Sequence, residues 1–126
     1  MEPKLTRRRQ ITLLLLGGAA VALYTWAPGH ARSRSQVREV NVSANEFAYA
    51  PTTIEVQKDD LVKITFQSVD MAHSFTVDSY RIAKRAGAGQ SVVFEFRADQ
   101  TGRFPIYCTL TQDDRCRQMK GELVVR

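Results

Sequence analysis

A chain of 126 residues is long enough for one ordinary domain and little else. With 44% hydrophobic and 25% charged residues, it has the composition of a folded globular protein, which excludes a disordered, collagen-like or multi-pass membrane chain. The formal net charge is +5, but residues 1–31 hold four basic side chains against one acidic one. The remainder has 14 basic and 12 acidic side chains, a balance that gives no electrostatic reason to expect a nucleic-acid partner.

The N-terminus, residues 1–31, has the pattern of an export signal or a membrane anchor. Thr6–Arg9 places three consecutive arginines ahead of the apolar, almost uncharged stretch 11–27, an order that follows the positive-inside rule. Thr6–Arg9 is similar to a twin-arginine signal, and the small residues up to Ala31 offer a cleavage position. The apolar stretch is also just long enough to stay in the bilayer as an anchor. Either way, we expect a periplasmic or otherwise extracytoplasmic domain.

Residues 32–38 are small, polar and charged, which is typical of a linker, and they lead into a domain predicted over 39–126. Within this domain, short stretches of alternating apolar and polar residues are separated by turn residues, the pattern of β-strands. Seven or eight short strands at this spacing predict an all-β sandwich of two layers. The predicted strands lie at 40–42, 47–51 (a bend or short edge piece), 53–56, 62–66, 73–77, 92–97, 104–108 and 121–125.

One stretch of the domain does not follow this pattern. Residues 81–87 could be read as a helix, but the segment is too short to form one alone in water. We therefore assign it no regular structure.

Four side chains with soft or borderline metal-binding atoms lie at predicted strand ends: His73, Cys108, Cys116 and Met119. Imidazole, thiolate and thioether are the donors that hold copper in electron-transfer sites. His73 must come from a different strand than the other three, so the sandwich would fix one ligand while a single loop supplies the rest. These four residues are the predicted metal ligands.

Several segments of the domain resemble the cupredoxin superfamily, and most of all the copper domain of cytochrome c oxidase subunit II and nitrous oxide reductase. The resemblance runs from Asn45 to Arg126. The segments that carry it are Ala72–Phe75, the turn Ala98–Phe104, Tyr107–Cys108 and Met119–Val125. It implies a Greek-key β-sandwich and a copper site in which His73 is the upstream histidine ligand.

The ligand loop departs from that family's binuclear pattern, Cys-x3-Cys-x3-His-x2-Met. Cys108 falls on its first Cys and Met119 on its Met, with the spacing kept. Gln112 stands at the second Cys and Cys116 at the His. A two-copper centre needs two bridging sulfurs, and Gln112 cannot bridge. The loop therefore predicts a single copper ion.

Two alternatives to copper stay open at this loop. A Cys2His set also suits tetrahedral zinc, which ranks below copper because of the resemblance and because zinc seldom uses a ligand such as Met119. The other alternative is a disulfide, because Cys108 and Cys116 are the only two cysteines of the chain and thiols outside the cytoplasm usually oxidise. The pair could be a permanent structural bridge, or a bridge that is reduced before metal loading.

No catalytic constellation is recognisable in the sequence. There is no supported Ser/His/Asp arrangement, no phosphate-binding glycine loop and no carboxylate pair placed for acid–base chemistry, so we expect a protein that is not an enzyme. The favoured function is electron transfer or copper handling by a monomer that meets a redox protein or a copper donor or acceptor. The competing function is that of a metal-free structural or interaction module with a Cys108–Cys116 disulfide.

Overall fold

The computed structural model describes Gly29 and residues 36–126, and in this part of the chain it consists of nine β-strands and two short 3-10 helices. The predicted signal or anchor segment, Gly29 apart, and residues 32–35 of the predicted linker lie outside this description. The strands are β1 (Val37–Asn45), β2 (Ala48–Ala50), β3 (Thr53–Val56), β4 (Leu61–Ser68), β5 (His73–Val77), β6 (Ile82–Ala86), β7 (Ser91–Arg97), β8 (Gly102–Tyr107) and β9 (Lys120–Val125). The 3-10 helices are Asp78–Tyr80 and Asp114–Gln118. Neither helix of the described part has the length and apolar character needed to cross a membrane.

The strands form two sheets that pack face to face. One sheet has the order β2-β1-β4-β7 and the other the order β3-β9-β8-β5-β6. Two neighbouring pairs, β1 with β4 and β3 with β9, run parallel, and the remaining pairs are antiparallel. The predicted all-β, Greek-key sandwich of cupredoxin type is confirmed.

The core between the sheets comes from the alternation already visible in the sequence. Along β4, Val62, Ile64 and Phe66 are buried while the intervening side chains are not. The ring of Phe66 lies 5.7 Å from that of Phe75 on the opposite sheet, and Phe75 in turn lies 5.5 Å from Phe94. Aromatic pairs of this kind add about 0.5–1.5 kcal/mol beyond the area they bury. This packing holds the two sheets together at the centre of the core.

The described residues contain nine strands, one more than the largest number that the sequence predicted, and the additional strand is β6. Residues 81–87 were given no regular structure, but Ile82–Ala86 pairs antiparallel with β5 at the edge of its sheet. The apolar face of β6 is hidden in the sequence because Lys84 interrupts it. Lys84 opposes Phe75 across the pair, and its ammonium lies 5.7 Å from the centre of the Phe94 ring. A charge at such an inward position also discourages pairing with another chain.

Candidate metal centre

The four predicted ligands lie at one end of the five-stranded sheet. His73 is the first residue of β5, Cys108 follows β8, Cys116 lies in the second 3-10 helix, and Met119 directly precedes β9. Because β5 and β9 both run antiparallel to β8, the starts of β5 and β9 meet the end of β8. All four side chains are buried, with exposed fractions of 3% or less. The topology thus brings the predicted residues to one buried region.

A hydrogen bond joins the histidine strand directly to the first cysteine. The backbone N–H of Ser74 donates to the Sγ of Cys108 at 3.4 Å. The Ser74 hydroxyl accepts from the backbone N–H of Thr109 at 2.8 Å. The backbone carbonyl of Ser74 accepts from the hydroxyl of Tyr49. Ser74 therefore holds β5 and the segment after β8 in register at the sulfur atom.

Cys108 and Cys116 form a disulfide, with their Cα atoms 5.3 Å apart. This is the alternative left open by the sequence, in either its permanent or its reducible form. Neither sulfur is a thiolate in this state, so only His73 and Met119 of the predicted set keep a free donor atom. Within the described residues, no group of three or more His, Cys, Asp and Glu side chains is arranged to hold a metal ion. The four-ligand site stays a prediction for the reduced chain.

The ring of His73 is fixed at one nitrogen and unpaired at the other. Its Nε2 lies 2.7 Å from Oδ1 of Asp70, while its buried Nδ1 has no hydrogen-bond partner. Since an ionised carboxylate only accepts hydrogen bonds, Nε2 donates to Asp70, and in the neutral form of the ring Nδ1 carries the lone pair. A metal-binding histidine is also usually oriented in this way, by donating the N–H of its other ring nitrogen to a carboxylate.

Asp70 is the residue of this region that the sequence interpretation missed. Burial raises its pKa, but hydrogen bonds from His73 and from the backbone N–H groups of Glu46 and Met71 outweigh it and lower the pKa to about 2. The carboxylate is therefore ionised at neutral pH and able to hold the ring. An acidic residue three positions before a candidate histidine was the only signal available.

The loop that carries Cys116 is built around Asp113. Its side chain accepts the backbone N–H of Arg115 at 2.9 Å and so caps the second 3-10 helix. The guanidinium of Arg115 also donates to both carboxylate oxygens, at 3.1 and 2.8 Å, and lies 4.3 Å above the ring of Phe47. Phe47 in turn meets the His73 ring edge to face, with the ring centres 5.6 Å apart.

Comparison with known proteins agrees with this architecture. The profile of the cupredoxin-like domain family matches residues 14–125. The chain belongs to the cupredoxin-like family. A search by sequence among curated proteins finds no match, so the relatives of this cupredoxin are recognised through its family profile and its fold.

Three solved structures illustrate the proteins to which the fold is similar. The periplasmic domain of cytochrome oxidase subunit II of Bradyrhizobium japonicum has a TM-score of 0.63 and 13% identity, with 71% of this chain and 83% of that one covered. The metal-binding domain of the Cu(I)-exporting ATPase CopA of Streptococcus pneumoniae D39 has a TM-score of 0.60 and 20% identity, with 71% of this chain and 86% of that one covered. Auracyanin A, a "blue" copper protein of Chloroflexus aurantiacus, has a TM-score of 0.60 and 16% identity, with 71% of this chain and 99% of that one covered. The chain spans 65% of the length of a matching chain from a heme-copper terminal oxidase dimer. At these identities the likeness shows the fold alone.

The donor atoms present fit one copper ion only after the disulfide is reduced. Reduction would add two thiolates to the unpaired Nδ1 of His73 and the buried thioether of Met119, a soft set of donors that suits Cu(I). Gln112, at the position of the second bridging cysteine of the binuclear pattern, is exposed. The oxidised pair cannot supply a thiolate.

Proposed function

We propose that this cupredoxin is an extracytoplasmic binding protein, not an enzyme, that takes one copper ion once its disulfide has been reduced. His73, Cys108, Cys116 and Met119 would hold the ion. The observation that carries the proposal is the state of His73, which is buried and held at Nε2 by Asp70 while its Nδ1 lacks any partner. An unpaired polar atom in a buried site costs about 1–3 kcal/mol, so its retention favours a ligand that uses it.

Reduction of the disulfide needs two electrons and two protons, which a dithiol protein can supply. One thiolate of the reductant attacks a sulfur of the Cys108–Cys116 bond and forms a mixed disulfide, and the other cysteine leaves as a thiolate and takes a proton. The second thiol of the reductant then displaces the remaining cysteine and closes the reductant's own disulfide. A mixed disulfide between a thioredoxin-like protein and a cytochrome oxidase subunit II of the same fold supports such a partner.

Each residue of the reduced site has a defined task. Asp70 keeps the proton of His73 on Nε2, so that Nδ1 presents its lone pair. The Ser74 amide donates to the Cys108 sulfur and stabilises its thiolate. Met119, buried in front of β9, adds a neutral thioether and excludes water. Bound copper would supply a centre that accepts and passes on one electron, or the Cu(I) ion itself would be transferred to an acceptor protein.

The second candidate is a metal-free module in which the disulfide is permanent. The buried Cys108–Cys116 bridge favours this function, because both cysteines lie inside the domain with exposed fractions of 1% and 3%. In that case the end of the sandwich would serve as a rigid surface for a protein partner. The two candidates differ in whether reduction creates a binding site.

Copper uptake by the purified full-length protein, measured before and after reduction, tests the proposal. We expect two free thiols and one equivalent of tightly bound Cu(I) only after reduction, by thiol titration and elemental analysis. Met119→Leu should weaken binding, whereas the matched variant Met71→Leu, at a half-exposed position outside the ligand loop, should not. Intense thiolate-to-Cu(II) absorption would favour electron transfer, and a colourless protein that retains Cu(I) would favour copper handling.

Two results would overturn the copper proposal. One is a fully reduced, folded protein that binds neither Cu(I) nor Cu(II) in stoichiometric amount. The other is a preference for zinc over copper when both metals are offered to the reduced protein. A disulfide that resists mild reductants in the native fold would favour the metal-free module instead.

A further inference from the structure

The turn between β1 and β2 has a backbone that its sequence disfavours. Asn45 pairs with Ala48, so Glu46 and Phe47 form the two-residue tip of a hairpin, and both have positive φ angles, 50° and 60°. Such a tip normally contains Asn and Gly, because other side chains crowd the backbone there. Two large residues in this conformation cost stability locally. The surrounding contacts must hold them in place.

Those contacts lead to both sides of the candidate metal centre. The backbone N–H of Glu46 donates to Oδ2 of Asp70 at 3.0 Å, the same carboxylate that holds His73. The ring of Phe47 packs edge to face against His73 and lies under the guanidinium of Arg115. The hairpin tip therefore touches the histidine side of the site and the cysteine loop at once.

Arg115 connects this tip to Cys116. The paired hydrogen bonds to Asp113 leave its guanidinium little freedom, and the residue precedes Cys116 in the same short helix. Arg117 follows Cys116 with the same charge, but no hydrogen bond, ion pair or ring contact of its side chain is found in the described residues. The two arginines are thus matched in charge and in distance along the chain, and differ in the contact with Phe47.

We propose that Phe47 and Arg115 form a clamp that keeps Cys116 beside Cys108 when the disulfide is open. The proposal rests on the proposed function in treating the dithiol state as the working one. Phe47 and Arg115 are positioning residues, because neither carries a donor for the metal. The clamp keeps the loop of the reduced protein in the conformation that it has in the disulfide-bonded protein. The strained backbone of the hairpin tip is retained because it places the ring of Phe47 between His73 and Arg115.

Thermodynamic coupling gives the clamp a measurable consequence. The disulfide and the Arg115–Phe47 contact both restrict the same loop, so each is easier to form when the other is present. Loss of the contact must therefore favour the dithiol form. A cation–π contact at an exposed position corresponds to a change of about two- to fivefold in an equilibrium constant.

The test is the thiol–disulfide equilibrium of the full-length, metal-free protein in mixtures of reduced and oxidised dithiothreitol. Arg115→Gln should raise the equilibrium constant for reduction by at most about two- to fivefold, because the shift reflects only those reduced molecules in which the loop has opened. Phe47→Gly should do the same, although it gives the hairpin tip a residue that suits its backbone. Phe47→Trp, which keeps an aromatic face for the guanidinium, should restore the wild-type value. Arg117→Gln is the control and should leave the equilibrium unchanged.

A second measurement separates the clamp from a general loss of stability. In the disulfide-bonded structure, the backbone amides of Cys116 and Met119 donate to the carbonyl groups of Asp113 and Cys116. In the reduced protein, hydrogen exchange of these two amides should be faster in Arg115→Gln than in Arg117→Gln. Exchange in β4 should be the same in both. Equal equilibrium constants and equal loop exchange in the two variants would overturn the clamp.

The outcomes also separate the clamp from the copper proposal. A shifted equilibrium in a protein that never binds copper would support the clamp and reject the copper site. Stoichiometric copper binding, with the same equilibrium constant and the same loop exchange in Arg115→Gln and Arg117→Gln, would support the copper site and reject the clamp.

Discussion

Asp70 and His73 form a close polar contact, with Oδ1 of the carboxylate 2.7 Å from Nε2 of the ring. The contact determines which nitrogen of His73 can bind a ligand, because the carboxylate retains the proton at Nε2. Nδ1 is left buried with no partner. The relationship makes Asp70 the residue through which the metal proposal can be tested without removing a ligand.

Asp70→Asn should weaken copper binding by the reduced protein by about 10- to 100-fold, the range found for residues that orient metal ligands. Asparagine can still accept one hydrogen bond but carries no charge to hold the proton on Nε2. Competition with a Cu(I) chelator measures the affinity. Asp114→Asn, an exposed carboxylate of the ligand loop, is the matched control. Equal affinities in the two variants would show that Asp70 does not orient the ring.

The same carboxylate should make folding stability depend on pH in acid. Its pKa of about 2 in the folded chain lies below the ordinary value of 3.8, so the folded state releases this proton more readily than the unfolded one. The stabilisation is fully present above about pH 4 and is lost as the pH falls towards about 2. Urea unfolding of the disulfide-bonded protein across this range should show the wild type losing its advantage over Asp70→Asn. A constant difference between the two proteins would contradict this assignment.

Cys116→Ser should lower the free energy of unfolding by about 2–3 kcal/mol relative to the oxidised protein, because the bridge closes a short loop and restricts the unfolded chain. Its cysteines are eight positions apart. Urea unfolding provides the measurement, and the wild-type protein kept in reductant is the control. The variant and the reduced wild type should then have similar stabilities. A variant as stable as the oxidised protein would mean that the bridge adds nothing to the fold.

Phe66→Ala should destabilise the domain by about 3–5 kcal/mol, since it opens a cavity between the sheets. Phe66 is fully buried and packs against Tyr49 and Phe75. Val93→Ala, on the neighbouring strand but 55% exposed, should change stability by less than about 0.5 kcal/mol. Thermal or urea unfolding of the oxidised proteins distinguishes these values. Similar losses in both variants would contradict the assigned core.

The pattern of the chain predicted the sandwich because alternation along a strand is a local property. Val62, Ile64 and Phe66 appear on one face in the sequence and in the structure alike. β6 was missed because its identity depends on a partner strand, with Lys84 placed over the ring of Phe94 rather than in solvent.

The candidate site divides in the same way. The residue types and the loop spacing alone selected His73, Cys108, Cys116 and Met119, since metal-binding atoms are properties of side chains. The sequence could not choose between thiolates and a disulfide, because that choice depends on the distance between Cys108 and Cys116 and on the redox state of the pair.

Only the tertiary structure revealed the surroundings of these residues. Phe47 is 26 positions before His73 and much further from Arg115 along the chain, and their contacts exist because a hairpin tip and a loop meet at one end of the sandwich. No local pattern encodes a meeting of segments so distant in sequence. The sequence by itself determined the β-sandwich and its family, and it identified the candidate donor atoms. The packing of the two sheets decided which nitrogen of His73 is free, which arginine touches the site and that the cysteines are close enough to bond.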